Sequence, residues 1–397
     1  MTIKVLSVFG TRPEAIKMAP VALQLAADPR FESRVCVSGQ HRGMVDSVLD
    51  LFGIRPDVDL AVMSPGQDLS DVTSRVLLGL REPLKRERPD VVLVHGDTTT
   101  CLAASLAAFY AGIPVGHVEA GLRSHDLSKP FPEEMNRRVT DIVSELYFAP
   151  TERARHHLLT EGVRADRVHV TGNTVIDALL WVRPRIVGRG AEAFADAFGP
   201  VLTPLVQTWP GPIVLVTGHR RESFGRGFDD LCRALRETAA AHRDWLFVYP
   251  VHPNPNVKGP VTRQIGGIDN VVLVDPLDYE PFVFLMDRAD VILTDSGGIQ
   301  EEGPALGKTV LVTRDVTERP EALASGTVRL VGTDPRRIRD ELESALRGSS
   351  DGAGDANRVR RATSLPYNPF GDGRAAARIA DVLATRFAAR LELVGAA

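Results

Sequence analysis

Pro89-Asp90-Val91-Val92-Leu93-Val94-His95-Gly96-Asp97-Thr98-Thr99-Thr100 is the stretch on which the fold turns. Pro89-Asp90 opens a strand, Val91–Val94, that is apolar at every position. Such a run suits a strand buried on both faces, as in a parallel sheet covered by helices. Thr98–Thr100 can cap a helix in which Leu102, Leu106 and Phe109 share a face. Gly112 and Pro114 end that helix, and Val115–Val118 reads as the next strand. The result is a βαβ unit with His95-Gly96-Asp97 at its strand-to-helix turn.

The same alternation extends in both directions. Ile3–Phe9 and Arg34–Ser38 read as strands in the first half. Ile213–Thr217, Leu246–Val251, Val271–Val274, Val291–Thr294 and Thr309–Val312 do so in the second. Helical patterns lie between them, so the class is α/β with doubly wound layers. At 397 residues the chain exceeds the usual single core, and two domains are expected. The pattern weakens after Thr171-Gly172-Asn173-Thr174. A helix Val175–Val182 is expected, then an irregular Ala/Gly/Pro-rich stretch over Pro184–Pro212. The boundary is therefore placed near residue 170, giving domains 1–170, completed by a C-terminal helix over about 371–397, and 171–370. A final amphipathic helix after Asn368-Pro369-Phe370-Gly371 runs to about residue 390, and Gly348–Asn357 reads as a loop. Two open sheets that bind at their carboxyl edges would face a central cleft, with a nucleotide on one wall and a sugar on the other.

Hydrophobic content of 44% and charged content of 25% are those of an ordinary globular protein. The net charge of −4 gives no support to a nucleic-acid or membrane-surface partner. No window approaches the roughly 20 apolar residues of a membrane span. The Val5–Phe9 run is too short for a signal-peptide core and reads as the first strand. Cys36, Cys101 and Cys232 are far apart and read as buried thiols, which fits a reducing cytoplasm. No Cys/His spacing suggests a metal, and Asp57-Val58-Asp59 is weak ground for one.

The stretch from His95 to Arg138 places three carboxylates, Asp97, Glu119 and Glu133, in segments that read as loops after strands. Arg123, His125, Arg137 and Arg138 accompany them. Acid/base chemistry beside an anionic substrate calls for this mixture. Gly10-Thr11-Arg12-Pro13-Glu14 follows the first strand, with Pro13 well placed to start a helix and Lys17 one turn on. Asp295-Ser296-Gly297-Gly298-Ile299-Gln300-Glu301-Glu302 follows another strand. Its two glycines and Ser296 can cradle a diphosphate through backbone donors, and Glu302 can accept from ribose hydroxyls. His219-Arg220-Arg221 after Ile213–Thr217 suits phosphate neutralisation, and His252 ends the next strand.

Phe9–Pro20, His95–Thr100, Glu119–Arg123, Pro132–Arg138, Gly218–Glu222 and Asp295–Glu302 occur in this order along nearly the whole chain. Together they resemble the non-hydrolysing UDP-N-acetylglucosamine 2-epimerases. The resemblance implies two Rossmann-like domains arranged as in the GT-B glycosyltransferases. It implies reversible interconversion of UDP-GlcNAc and UDP-ManNAc through elimination of UDP and re-addition to 2-acetamidoglucal. It also implies a cytoplasmic homodimer that uses no cofactor. By motif, Asp97, Glu119 and Glu133 fall at acid/base positions, and His219 beside the departing UDP. Arg12, Lys17, Arg137, Ser296, Gly297, Gly298, Glu302 and Arg319 fall at substrate- and UDP-contacting positions, with Phe282 near the uracil. Gln40, His41, Arg220 and His252 fit a second, activating UDP-GlcNAc site, although Gly43 and Gly66 replace longer residues found in relatives. Which carboxylate serves which face of C2 stays open at this level. A GT-B glycosyltransferase using a UDP-sugar and a hydrolysing epimerase releasing free ManNAc are the rival readings.

Overall fold

The computed structural model describes residues 2–40, 42–64, 66–218, 220, 224–324, 326–347 and 368–394, with backbone alone for 42 and 388–394. They form two compact units, Met1–Trp181 with Phe370–Ala397, and Val182–Pro369. The first unit holds strands β1 (Ile3–Phe9), β2 (Phe31–Val37), β3 (Val58–Asp59), β4 (Val91–His95), β5 (Val115–Val118), β6 (Leu146–Ala149) and β7 (Val168–Val170). They make one parallel sheet in the order β3-β2-β1-β4-β5-β6-β7. The second holds β8 (Ile213–Thr217), β9 (Leu246–Pro250), β10 (Val271–Val274), β11 (Val291–Thr294), β12 (Thr309–Val312) and β13 (Val328–Leu330). Its parallel sheet runs β10-β9-β8-β11-β12-β13.

Burial explains why the apolar runs become central strands. Val91, Val92, Leu93 and Val94 of β4 are fully buried, as are Val214, Leu215 and Val216 of β8. Each such side chain contributes about 1.5–3 kcal/mol of transfer free energy, which dominates any local preference of the segment. The strands not expected from sequence, β3, β6, β7 and β13, are two to four residues long. Each lies at or next to a sheet edge, where a long apolar run is not required.

Two expectations are corrected. The helix Thr99–Tyr110 is capped as foreseen, the Thr98 hydroxyl accepting from Cys101 N–H at 3.1 Å. Of its expected face Leu102 is buried and Leu106 half-buried, but Phe109 is exposed. Cys101, Ala103, Ala104, Ala107 and Ala108 are buried as well, and these small side chains let the helix lie close to its neighbours. The stretch Pro184–Pro212 is not irregular. It carries a 3-10 turn, Ala191–Phe194, and a helix Ala195–Thr208 bent at Gly199, where φ is 71°. Phe198, Leu202 and Val206 recur at helical spacing on its buried side.

The units divide at residues 181/182, inside the helix Thr174–Ile186, whereas composition places the boundary near residue 170. The reason is local. Asp177, in the helix Thr174–Ile186, accepts from the N–H groups of Ala375 and Ala376 at 3.1 and 2.8 Å. It thereby caps the helix Ala375–Val394 and ties both segments to the first unit. Gly348–Asn357, read as a loop, lies outside the described residues.

Candidate active site

Strand order reverses between β1 and β4 in the first sheet and between β8 and β11 in the second. A crevice opens beyond the strand carboxyl ends at such a point, and ligands of doubly wound folds bind there. The turns that follow these four strands carry Arg12, Asp97, Arg220 and Ser296.

In the first unit the β1 turn is held by close approach. A Cβ at Gly10 would lie 1.9 Å from the Ser38 Oγ and 2.6 Å from the Thr100 Oγ1. Glu14, fully buried, accepts from the N–H groups of Gly10 and Thr11 at 3.0 and 2.8 Å, and from the Thr11 hydroxyl at 2.8 Å. Burial pushes its carboxyl above the usual range, and its hydrogen bonds to Thr98, Thr11 and Gly10 oppose that. The Thr11-x-x-Glu14 spacing is a capping-box signal that sequence reading passed over.

Glu119 follows β5 with φ of 66°, a left-handed conformation that non-glycine residues adopt at a cost. Its carboxylate accepts from Lys17 Nζ and, at 2.6 Å, from Asn173 Nδ2. His95 Nε2 lies 3.7 Å from the same oxygen. Both His95 ring nitrogens are buried without a hydrogen-bond partner among the described residues, and burial depresses the imidazole to about 3, so the ring is neutral. Asp97 accepts from Arg137 Nη2, and its backbone carbonyl accepts from Asn136 Nδ2 at 2.8 Å. Glu133 opens the helix Glu133–Val143, on the face shared with Arg137. Its Oε2 is buried without a hydrogen-bond partner among the described residues.

Not every cation of the 95–138 stretch is free to meet a substrate. Arg123 is buried and donates to Asp141 at 2.6 Å and to Glu161 at 2.7 and 2.8 Å, so it is part of the framework. Glu134 was passed over in the sequence. It is fully buried and accepts from the backbone N–H groups of Ser124 and His125 and from Arg137. Gln40 accepts from the Thr100 hydroxyl at 3.1 Å, and Arg12 is half-buried in the first turn of its helix.

In the second unit Asp295 accepts from Arg220 N–H at 2.8 Å, joining the β8 and β11 turns. Ser296 N–H donates to the Thr294 hydroxyl at 2.9 Å. Gly297 leaves room for Arg319, since a Cβ there would lie 2.6 Å from its guanidinium. Arg319 donates to Glu301 and, at 2.8 Å, to Glu318. Gly298 caps the seven-residue helix Ile299–Ala305, where Glu302 accepts from the Tyr279 hydroxyl at 2.9 Å. Tyr279 starts the helix that carries half-buried Phe282, so the expected uracil and ribose residues share one corner of the unit. Glu318 was not foreseen. Burial opposes its ionisation, but Arg319, Arg314 and Arg220 overcome this and hold the carboxyl at about 2. His252 is an exposed turn residue whose Nδ1 accepts from Asn254 N–H at 3.2 Å. His41 and His219 lie outside the described residues. Asp57 of the Asp57-Val58-Asp59 sequence accepts from Arg34 and from Val35 N–H, a framework role.

The family description UDP-N-acetylglucosamine 2-epimerase matches residues 23–384. The chain is 55% identical over 381 residues to the UDP-N-acetylglucosamine 2-epimerase of Escherichia coli strain K12, covering 96% of this chain and 98% of that one. It is similar to the crystal structure of UDP-GlcNAc 2-epimerase from Neisseria meningitidis bound to UDP-GlcNAc. The TM-score there is 0.85 at 45% identity, covering 96% of this chain and 99% of that one. For the Methanocaldococcus jannaschii UDP-GlcNAc 2-epimerase in complex with UDP-GlcNAc and UDP, the TM-score is 0.78 at 30% identity, with the same coverage of 96% and 99%. The two parallel-sheet α/β units and the GT-B-like class agree with these relatives. The chain belongs to the UDP-N-acetylglucosamine 2-epimerase family.

Proposed function

We propose that this chain is a non-hydrolysing isomerase that interconverts UDP-GlcNAc and UDP-ManNAc at C2, eliminating UDP to 2-acetamidoglucal and adding it back. The observation that carries the reading is Glu119, pinned in a left-handed conformation by Lys17 and Asn173 beside a neutral, buried His95. Asp97 with Arg137 stands on the same sheet edge. Relatives are solved with UDP-GlcNAc and UDP bound, which supports the substrate class.

The chemistry accounts for the residue types. The C2 proton of this sugar is not next to a carbonyl, so direct abstraction is very slow. Breaking the anomeric C–O bond first creates an oxocarbenium-like C1 that acidifies C2–H, and the departing UDP takes the electron pair. Donors aimed at the leaving diphosphate are worth about 10²–10³ in rate each. In this reading Ser296, Gly297, Gly298, Arg319 and His219 serve the diphosphate, Glu302 the ribose and Phe282 the uracil. Arg12 and Lys17 are the first unit's cationic candidates for the anionic substrate. Inversion at C2 needs proton transfer on both faces, for which Asp97, Glu119 and Glu133 are the candidate groups. General acid/base catalysis of this kind contributes about 10²–10⁴.

A homodimer is the proposed assembly. Phe109, Tyr110 and Ile142 are large, exposed and apolar on two helices that pack together, which suits a covered face. Sedimentation velocity checks it: a monomer at micromolar concentration contradicts the assembly. The buried free thiols Cys36, Cys101 and Cys232 favour a reducing compartment, the cytoplasm.

Product analysis after incubation with UDP-GlcNAc tests the reaction. All sugar stays bound to nucleotide and UDP-ManNAc accumulates. Free ManNAc released in step with UDP would instead identify the hydrolysing reaction. Asp97→Asn and Glu119→Gln each lower turnover by about 10²–10⁴ while UDP affinity is kept. Near-normal rates in both variants contradict the assignment.

A further inference from the structure

We propose that Tyr279 sets the ribose specificity of the nucleotide site, its hydroxyl fixing the Glu302 carboxylate so that one oxygen meets a ribose hydroxyl; the proposal deepens the reading in which Glu302 serves the ribose and rests on it. Tyr279 opens the helix Tyr279–Arg288 and is buried. Its hydroxyl donates to Glu302 Oε1 at 2.9 Å, across 23 positions of the chain. A buried tyrosine hydroxyl needs a partner, and the backbone is the usual one. The buried Tyr147 donates to the carbonyls of Asp141 and Ser144, and the buried Tyr249 to that of Gly218. Tyr279 holds a side-chain carboxylate instead, and that carboxylate belongs to the motif-bearing turn after β11.

Glu302 is fixed at both ends. Its N–H donates to the Gly298 carbonyl at 3.0 Å. Its neighbour Gly303 lies against the sheet, since a Cβ there would stand 2.4 Å from Val310 Cγ2 and 3.5 Å from Ile292 Cδ1. The helix Ile299–Ala305 therefore has no room to roll. A glutamate on a fixed backbone still has three side-chain torsions to order, at a cost in entropy. The Tyr279 hydroxyl orders them at the far end. Tyr279 is itself a firm anchor, because the Phe284 ring of the same helix packs 4.9 and 5.8 Å from those of Phe194 and Phe198.

The consequence is directional. With Oε1 on the tyrosine, Oε2 lies towards the Gly298 turn, 3.6 Å from where a Cβ of Gly298 would stand. In the epimerase reading that turn serves the diphosphate, so the ribose joined to it falls beside Oε2. A fixed acceptor there favours a sugar that carries the matching hydroxyl over one that lacks it. Phe282, expected at the uracil, follows Tyr279 by three residues, and its N–H donates to the Asp278 carbonyl at 3.1 Å. One helix then places the contacts to base and ribose together. Tyr279 touches no nucleotide in this account and acts through Glu302 as a positioning residue.

The test is calorimetric titration of the full chain with UDP, 2′-deoxy-UDP and 3′-deoxy-UDP. The wild type is expected to prefer UDP by about 10–100-fold over the analogue that lacks the bonded hydroxyl. Tyr279→Phe lowers that preference by about fivefold, through weaker binding of UDP and little change for the deoxy analogue. A merely structural role weakens all three ligands by the same factor and leaves the preference intact. Glu302→Ala removes the carboxylate, and adding Tyr279→Phe to it should then leave the preference unchanged. An unaltered preference in Tyr279→Phe overturns the proposal. So does a wild type that binds UDP and both analogues equally, or a further loss of preference when Tyr279→Phe is added to Glu302→Ala. These titrations need no turnover. A chain that shows the expected preferences but does not epimerise UDP-GlcNAc would sink the reaction assigned above and leave the role of Tyr279 standing.

Discussion

Glu14 Oε1 accepts the Thr98 hydroxyl at 2.6 Å, joining two turns whose residues stand 84 positions apart in the chain. The turns follow β1 and β4, the neighbours at which the order of the first sheet reverses. One buried carboxylate therefore sets the spacing between the loop of Arg12 and the loop of Asp97. Glu14→Ala leaves four donors without their acceptor. The expected cost is about 2–4 kcal/mol of stability, from unsatisfied buried donors. Thermal unfolding and kcat measured on the same preparation should both fall, and less in Glu14→Gln, which keeps the side-chain shape. Unchanged values of both in Glu14→Ala contradict the role.

Gly10 makes room for a neighbour. The Cβ of Gly10→Ala would meet the Ser38 Oγ at 1.9 Å and the Thr100 Oγ1 at 2.6 Å, so the β1 turn must shift. Overpacking of this kind costs about 1–3 kcal/mol. The double variant Gly10→Ala/Ser38→Ala should recover part of the lost melting temperature, because the nearest atom is gone. A purely additive double variant would mean that the close contact is not the cause.

Glu318 ties three arginines of the second unit together, and its folded value of about 2 lies below its ordinary 4.5. A depressed acid stabilises the fold fully above its unfolded value, and the contribution fades as pH falls from about 4.5 towards 2. The shift corresponds to at most about 3 kcal/mol, reduced by solvent screening at the exposed part of the side chain. Glu318→Gln should lower the melting temperature at neutral pH, with the gap to wild type narrowing in acid. A gap that stays constant down to about pH 3 would remove the electrostatic explanation.

The strands that carry the site were legible because their runs are apolar at nearly every position. Val91–Val94, Val115–Val118, Ile213–Thr217 and Val291–Thr294 all lie in the sheets. The charged turns that follow them could then be placed at strand carboxyl ends. The edge strands were not legible, since Val168–Val170 and Val328–Leu330 are too short for a period to appear. The supports of the site were hidden for another reason. Asn173 reaches Glu119 across 54 residues and Asn136 reaches Asp97 across 39, and no local pattern encodes such distances. Arg123 misled because a conspicuous arginine beside carboxylates reads the same whether it awaits a substrate or is already paired with Asp141 and Glu161.

A proton NMR time course of the purified chain with UDP-GlcNAc in D₂O tests the central claim most directly. The account predicts UDP-ManNAc appearing with deuterium at C2, and deuterium entering the recovered UDP-GlcNAc as the reaction reverses. UDP-ManNAc that keeps its original hydrogen at C2 would contradict proton transfer through the Asp97, Glu119 and Glu133 side chains.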